Sequence, residues 1–354
     1  MIAYLGVFLT SLCLSLALTA LSVRLGQRLR IVARPGGRRK HRGIISKLGG
    51  IAILGGFIGG ALISLLVRPW LPSPPEGPDP NETTRFTAVI VGTVLIGLFG
   101  LLDDRLEFRA KPQYVAQVVV SIVAIAGLVF IKHVMNPFTN EIFEFPGPLV
   151  WGLTLLWLVG MMNTVNLLDG LDGLVAGVVG IFASVVLIHM LRVGHYGPAL
   201  LPMALLGTTL GFLPYNFYPA RVFLGSGAIT LGYIVGTLSL VGGARVATVL
   251  LVMGPPIVDV AWQILNRWQR GRSMSEGDRG HLHFRLYHLG MSQRQVVFLY
   301  WVFCALSGAA ALLVSSRMYK LIVIVGLSIL MIVVLALLSR RQNVGEEAKQ
   351  EDAN

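Results

Sequence analysis

Eleven apolar runs, spread along almost the whole chain, constrain this sequence more than any other feature. They fall at about 2–22, 48–67, 86–102, 114–131, 148–165, 173–191, 198–214, 227–243, 246–265, 296–314 and 321–338. A helix needs roughly 20 apolar residues to cross the hydrocarbon core of a bilayer. Composition agrees. The chain is 55% hydrophobic and 13% charged, with a mean hydropathy of +0.73, whereas soluble domains carry about 25% charged residues. Its 41 glycines suit helices that pack closely in lipid. Cys13 and Cys304 both lie in apolar runs, which argues against a disulfide framework or a zinc site. The first run has no basic region ahead of it and no small-residue cleavage site, so it reads as a retained helix. The expected fold is an all-α integral membrane protein of about eleven transmembrane helices. Ten result if the fifth and sixth, or the eighth and ninth, form one span. A single polytopic domain covers 1–340, followed by a polar tail at 341–354.

Charge orients the spans. The loops 23–47, 103–113, 166–172, 215–226 and 266–295, with the stretch from 339 onward, hold 22 of the 29 Lys and Arg residues. The positive-inside rule places that set in the cytoplasm, with the N-terminus outside and the C-terminus inside. The net charge of +12 then follows from topology and anionic headgroups, and nucleic-acid binding is not expected. The polar motifs fall on that same face. A transporter more often places ionisable groups on broken helices at mid-membrane, so one-sided clustering favours an interfacial enzyme.

Asn163, Asn166, Asp169 and Asp172 recur every three residues at the end of the fifth run. Such groups at a lipid boundary are costly without a partner, and they suit cations, phosphates and sugars. A three-residue step in a helix keeps neighbours on one face but drifts about 180° over the series. All four can converge only if the backbone breaks, which Gly170 and Gly173 allow. Simple helix capping is the alternative. Asp103-Asp104-Arg105 ends the third run. Adjacent carboxylates need a cation or a raised proton affinity at a low-dielectric edge, or pairing with Arg105 and Arg109 in a solvated loop. Phe212–Gly227 offers Asn216, Arg221 and aromatic faces able to stack on a base, or an interfacial aromatic belt. Asp278-Arg279-Gly280-His281-Leu282-His283-Phe284-Arg285 offers arginines suited to diphosphate oxygens, or a basic loop on headgroups. Its histidines, at i and i+2, share a side only in extended backbone. Asp259 lies within the ninth run, where it is structural or functional. The Gly-rich basic stretch from Arg34 through Lys47-Leu48-Gly49-Gly50 fits an acidic substrate or a topology signal.

Together these motifs resemble the polyprenyl-phosphate N-acetylhexosamine-1-phosphate transferases of glycosyltransferase family 4, in the family's order from about Val32 to Gly290. The Arg-Gly-His-Leu-His-x-Arg-Leu form is similar to the bacterial undecaprenyl-phosphate N-acetylglucosamine-1-phosphate transferase branch. The phospho-N-acetylmuramoyl-pentapeptide transferase branch, with a run of His there, ranks second. The resemblance implies transfer of N-acetylglucosamine 1-phosphate from UDP-N-acetylglucosamine to undecaprenyl phosphate, with release of UMP. That is the first membrane step of a cell-envelope glycan pathway such as teichoic acid or lipopolysaccharide. It implies Mg²⁺, or Mn²⁺, held by Asp103, Asp104 and Asp169. Catalytic roles fall to Asp103, Asp104, Asp169, His281 and His283. Substrate binding falls to Lys47, Asn163, Asn166, Asp172, Asn216, Arg221, Phe223, Arg279 and Arg285. Its place would be the bacterial plasma membrane, multi-pass, with the active face cytoplasmic, and Gly-rich spans permit a homodimer.

The chain departs from that pattern. Phe223-Leu224-Gly225-Ser226-Gly227 lacks the Asp that usually follows the first Gly and typically ligates Mg²⁺. Phe284 replaces a His, and Ala33, Ile44, Ser46 and Gln113 replace other common residues. Two readings follow: an active transferase working with its remaining carboxylates, or a member that kept the fold and serves as a binding or scaffold protein.

Overall fold

A computed structural model describes residues 1–33, 43–75, 77, 79–241, 246–269, 281–314 and 316–351, the side chains of 268 and 338–351 excepted. The fold is all-helical. Helix α1 (Ile2–Leu29), β1 (Val32–Ala33) and β2 (Ile45–Ser46) precede α2 (Gly49–Val67), α3 (Glu82–Leu106) and α4 (Ala110–Ala126). A hairpin of β3 (His133–Met135) and β4 (Ile142–Glu144) leads to α5 (Gly147–Leu168), α6 (Leu174–Arg192), α7 (Leu200–Asn216) and α8 (Gly227–Leu238). Then come α9 (Val246–Val252), α10 (Gly254–Gln269), the short α11 (Leu282–His288), α12 (Gln293–Leu313) and α13 (Arg317–Glu351).

Ten of the eleven apolar runs coincide with one helix each. The ninth is divided: α9 and α10 meet at 79°. Pro255 and Pro256 have no N–H to give the carbonyls of Leu251 and Val252, which is enough to break the ladder there. Among the described helices, seven are long and apolar enough to cross a membrane, or eight if the bent pair counts as one span. Helices α4 and α8 are apolar but shorter. This is a multi-pass membrane protein.

Small residues set the packing. On α1, Ser11, Ser15, Thr19, Ser22 and Gly26 form a buried stripe at helical spacing. It lies against α2 and α7. At Gly207 and Gly211 an added Cβ would lie 2.5 Å from the Phe8 and Leu12 carbonyl oxygens, so the helices touch backbone to backbone. Helix α8 is buried over its whole length, with α2, α3 and α5 around it. Its Tyr233 fills the notch at Gly92 and donates to the Ala88 carbonyl at 3.1 Å. The start of this central helix carries Ser226, at the end of the bundle where the motifs gather.

Candidate active site

A cavity of about 580 Å³ opens at that end. It is lined by Lys47, Asp103, Asp104, Asn166, Asp169 and Asp172, with Asn216, Phe223, Ser226, Phe284 and His288 among the others. Its polar groups come from five stretches far apart in sequence, and each arrives for a local reason.

The first wall is built on the end of α3. Glu107 takes a left-handed conformation (φ 50°), which stops the helix just after the aspartates. Asp103 then accepts the Phe108 N–H at 2.9 Å through Oδ1 and the Gln113 amide at 2.9 Å through Oδ2. The loop before α8 meets them. Ser226 Oγ sits 3.0 Å from both Asp103 Oδ2 and Asp104 Oδ1, and the Ser226 N–H donates to Asp104 Oδ1 at 2.8 Å. The loop is held against β2, where Phe223 N donates to Ser46 O at 2.9 Å and Gly49 N to Phe223 O at 3.0 Å. Gly225 has φ +58°, and a Cβ there would lie 2.2 Å from the Lys47 carbonyl. Only glycine suits that position. Lys47 reaches the rim and pairs with Glu107 at 2.6 Å. Two adjacent buried carboxylates are thus held by Ser226, Gln113 and backbone, rather than by Arg105 and Arg109. Asp104 Oδ2 alone remains buried with no hydrogen-bond partner.

The second wall is the break between α5 and α6. Helix α5 stops at Leu168 and α6 starts at Leu174, with Gly173 at φ +81°. The break turns Asn166, Asp169 and Asp172 into the cavity. Asn163 stays outside it, donating to Gln117 Oε1 at 2.7 Å and to the Val159 carbonyl at 2.8 Å. Asp172 Oδ2 accepts the Ala220 N–H at 3.0 Å. Asn216 joins the two loops: it accepts from Gly173 N at 3.1 Å and donates to Val222 O at 3.0 Å. Arg221 is exposed and does not line the cavity.

Helix α11 completes this wall with Phe284, Tyr287 and His288. The motif histidines stand behind it. His281 contacts Asp259 at 3.0 Å, and its ring stacks on His283 at 5.6 Å, 7° from parallel. The rings align although α11 begins at Leu282, because His281 is the extended N-cap residue (ψ 145°). Burial pushes the His283 imidazole down to about 3, against the pull of Asp259 and with the added push of His281. Arg285 is buried and donates to the Leu335 carbonyl at 3.2 Å. Arg279 lies outside the described residues. Tyr287 and His288 were not singled out from the sequence. The signal available was their place three and four residues beyond Phe284, on the same face of α11.

Among the described residues, no three His, Cys, Asp or Glu side chains lie close enough to hold a metal ion on their own. Asp103, Asp104 and Asp169 share a cavity rather than a finished cage. Two carboxylates, one with a free buried oxygen, suit a cation such as Mg²⁺, which is commonly bound by one or two carboxylates with substrate phosphates completing its shell.

The stretches that build the cavity also carry the chain's likeness to known proteins. The model of Glycosyl transferase family 4 matches residues 86–243, the stretch that carries Asp103, the α5–α6 break and Ser226. The chain is 32% identical over 344 residues to the "Probable undecaprenyl-phosphate N-acetylglucosaminyl 1-phosphate transferase" of Bacillus subtilis (strain 168), covering 95% of this chain and 92% of that one. It is 31% identical over 316 residues to the decaprenyl-phosphate N-acetylglucosaminephosphotransferase of Mycobacterium tuberculosis (strain CDC 1551 / Oshkosh), covering 81% and 77%. It is also 31% identical over 318 residues to the phospho-N-acetylmuramoyl-pentapeptide-transferase of Symbiobacterium thermophilum, covering 84% and 91%.

Proposed function

The chain belongs to glycosyl transferase family 4 and is a phosphotransferase; on that premise we propose that it transfers N-acetylglucosamine 1-phosphate from UDP-N-acetylglucosamine to undecaprenyl phosphate, releasing UMP. The observation that carries the reading is one cavity lined by Lys47, Asp103, Asp104, Asn166, Asp169 and Asp172. Phosphoryl transfer asks chiefly for positioning and for charge placed where it develops. The cavity has both. Asp103 and Asp104 face the acceptor phosphate, and Lys47 supplies a cation at the rim to offset phosphate charge. Asn166, Asp169 and Asp172 bind and orient the donor across from them. Phe223 and Tyr218 offer ring faces for the uracil.

In this reading Asp103, Asp104 and Asp169 would hold Mg²⁺, which would supply charge neutralisation for the diphosphate and for the charge that develops in transfer. Asp104 Oδ2 is the group ready to accept it. The cavity faces the cytoplasm of a bacterial plasma membrane, as the basic loops on that side support.

Purified protein reconstituted with undecaprenyl phosphate, UDP-N-acetylglucosamine and Mg²⁺ is expected to release UMP. Intact nucleotide binding with no UMP release would overturn the reading. Turnover only with a muramoyl-pentapeptide donor would move the chain to that branch.

A further inference from the structure

We infer that Asp259 is a positioning residue for the donor side of the cavity, acting through His281 and His283 rather than on substrate. Asp259 lies on α10, 2% exposed, and does not line the cavity. Both its oxygens are committed to α11. Oδ1 accepts the Leu282 N–H at 2.9 Å, and Oδ2 lies 3.0 Å from His281 Nδ1. His281 provides no side-chain cap for its own helix. The first turn of α11 is therefore capped by a carboxylate from another helix, a contact that satisfies one of its orphan donors.

The consequence runs onward by contact. The His281 ring lies on the His283 ring. His283 in turn abuts Gly170, where an added Cβ would lie 2.2 Å from His283 Nε2 and 2.8 Å from Phe284 Cζ. Gly170 sits between Asp169 and Leu171 in the α5–α6 break. Asp259 thus sets the height of α11, and α11 sets the loop that presents Asp169 and Asp172. The ring nitrogens of His283 are buried with no hydrogen-bond partner, and neither histidine lines the cavity. Their geometry is that of packed spacers. The opposite wall has bonds of its own, Asp103, Asp104, Ser226 and Gln113 bonding to one another and to backbone, and it meets this one through Asn216 and the Asp172–Ala220 contact.

The test compares Asp259→Ala with Asp259→Asn. An Asn keeps both contacts, its oxygen accepting from Leu282 N and its amide donating to His281 Nδ1. In substrate-free protein, Asp259→Ala is expected to speed amide hydrogen exchange about 10-fold in 167–173 and 282–288 and to leave 103–108 unchanged. Asp259→Asn should restore the wild-type rates. The kinetic arm rests on the proposed function: KM for UDP-N-acetylglucosamine should rise about 10-fold in Asp259→Ala, with KM for undecaprenyl phosphate within about 2-fold. If Asp259→Ala does not fold, His281→Ala removes the Oδ2 contact and the ring stacked on His283, keeps the Oδ1 contact to Leu282 N, and should loosen 167–173 in the same direction. Unchanged exchange at 167–173, an equal rise in both KM values, or no rescue by Asn would each overturn the inference. A wild-type protein that releases no UMP would instead overturn the proposed function, while the exchange arm still decides the role of Asp259.

Discussion

The two walls of the cavity are made rigid in opposite ways. The α3 wall is held from within: the groups that face the cavity are the groups that bond to each other, with Ser226 at 3.0 Å from both carboxylates. The α11 helix of the other wall is held from behind by Asp259, which does not line the cavity. Asp259 bridges 23 positions of sequence to cap it, and a stacked histidine pair carries the contact to Gly170. A substitution in the first wall therefore changes chemistry directly, whereas one behind the second wall changes geometry first.

Four experiments press on that contrast, from the largest effect to the smallest. Asp104→Asn removes the buried carboxylate with the unpartnered oxygen, and UMP release should fall by about 100-fold or more while UDP affinity holds. Equal loss of both would show that the walls are not separable. Gly170→Ala drives a methyl into His283 and Phe284; isothermal titration should show UDP affinity reduced about 10-fold, and adding His283→Ala should recover much of it. No recovery would deny that the histidine and the loop are in contact. Inserting an Asp between Gly225 and Ser226 adds a hard oxygen ligand beside Asp104. Mn²⁺ binding without nucleotide, read by electron paramagnetic resonance, should tighten about 10-fold, and unchanged binding would show that the first wall is complete as it stands.

The fourth concerns pH. His283 titrates near 3 in the folded protein and near 6.5 in an unfolded chain. Burial favours its neutral form in the folded protein, so its contribution to stability is full above about 6.5 and is lost as pH falls toward 3. At pH 5 the loss is about 2 kcal/mol. The groups facing the ring are Asp259 on α10, His281 and Phe284 on α11, and Tyr300 on α12. Thermal midpoints in detergent at pH 7 and pH 5 should differ less in His283→Leu than in wild type. An equal fall in both would place the acid sensitivity elsewhere.

Much of this was legible in the residues. Apolar length alone located the helices, because a span leaves few other options for the backbone. The three-residue spacing from Asn163 to Asp172 required a break, and Gly173 at φ +81° is where it comes. What the sequence hid was direction. Asn163 shares the spacing of its neighbours, yet its amide is taken by Gln117 from another helix. His281 and His283 carry side chains that could do acid–base work, but only the fold reveals that they lie behind the wall. The bend at Gly254 was written in Pro255-Pro256, where hydropathy read a continuous run.

That bend makes α10 a lever. Asp259 is five residues past Gly254, roughly 7.5 Å along a helix rising 1.5 Å per residue. A 10° change in the 79° angle would carry its carboxylate about 1.3 Å, more than a hydrogen bond tolerates. The angle between these two helices is thereby a working dimension of the α11 wall.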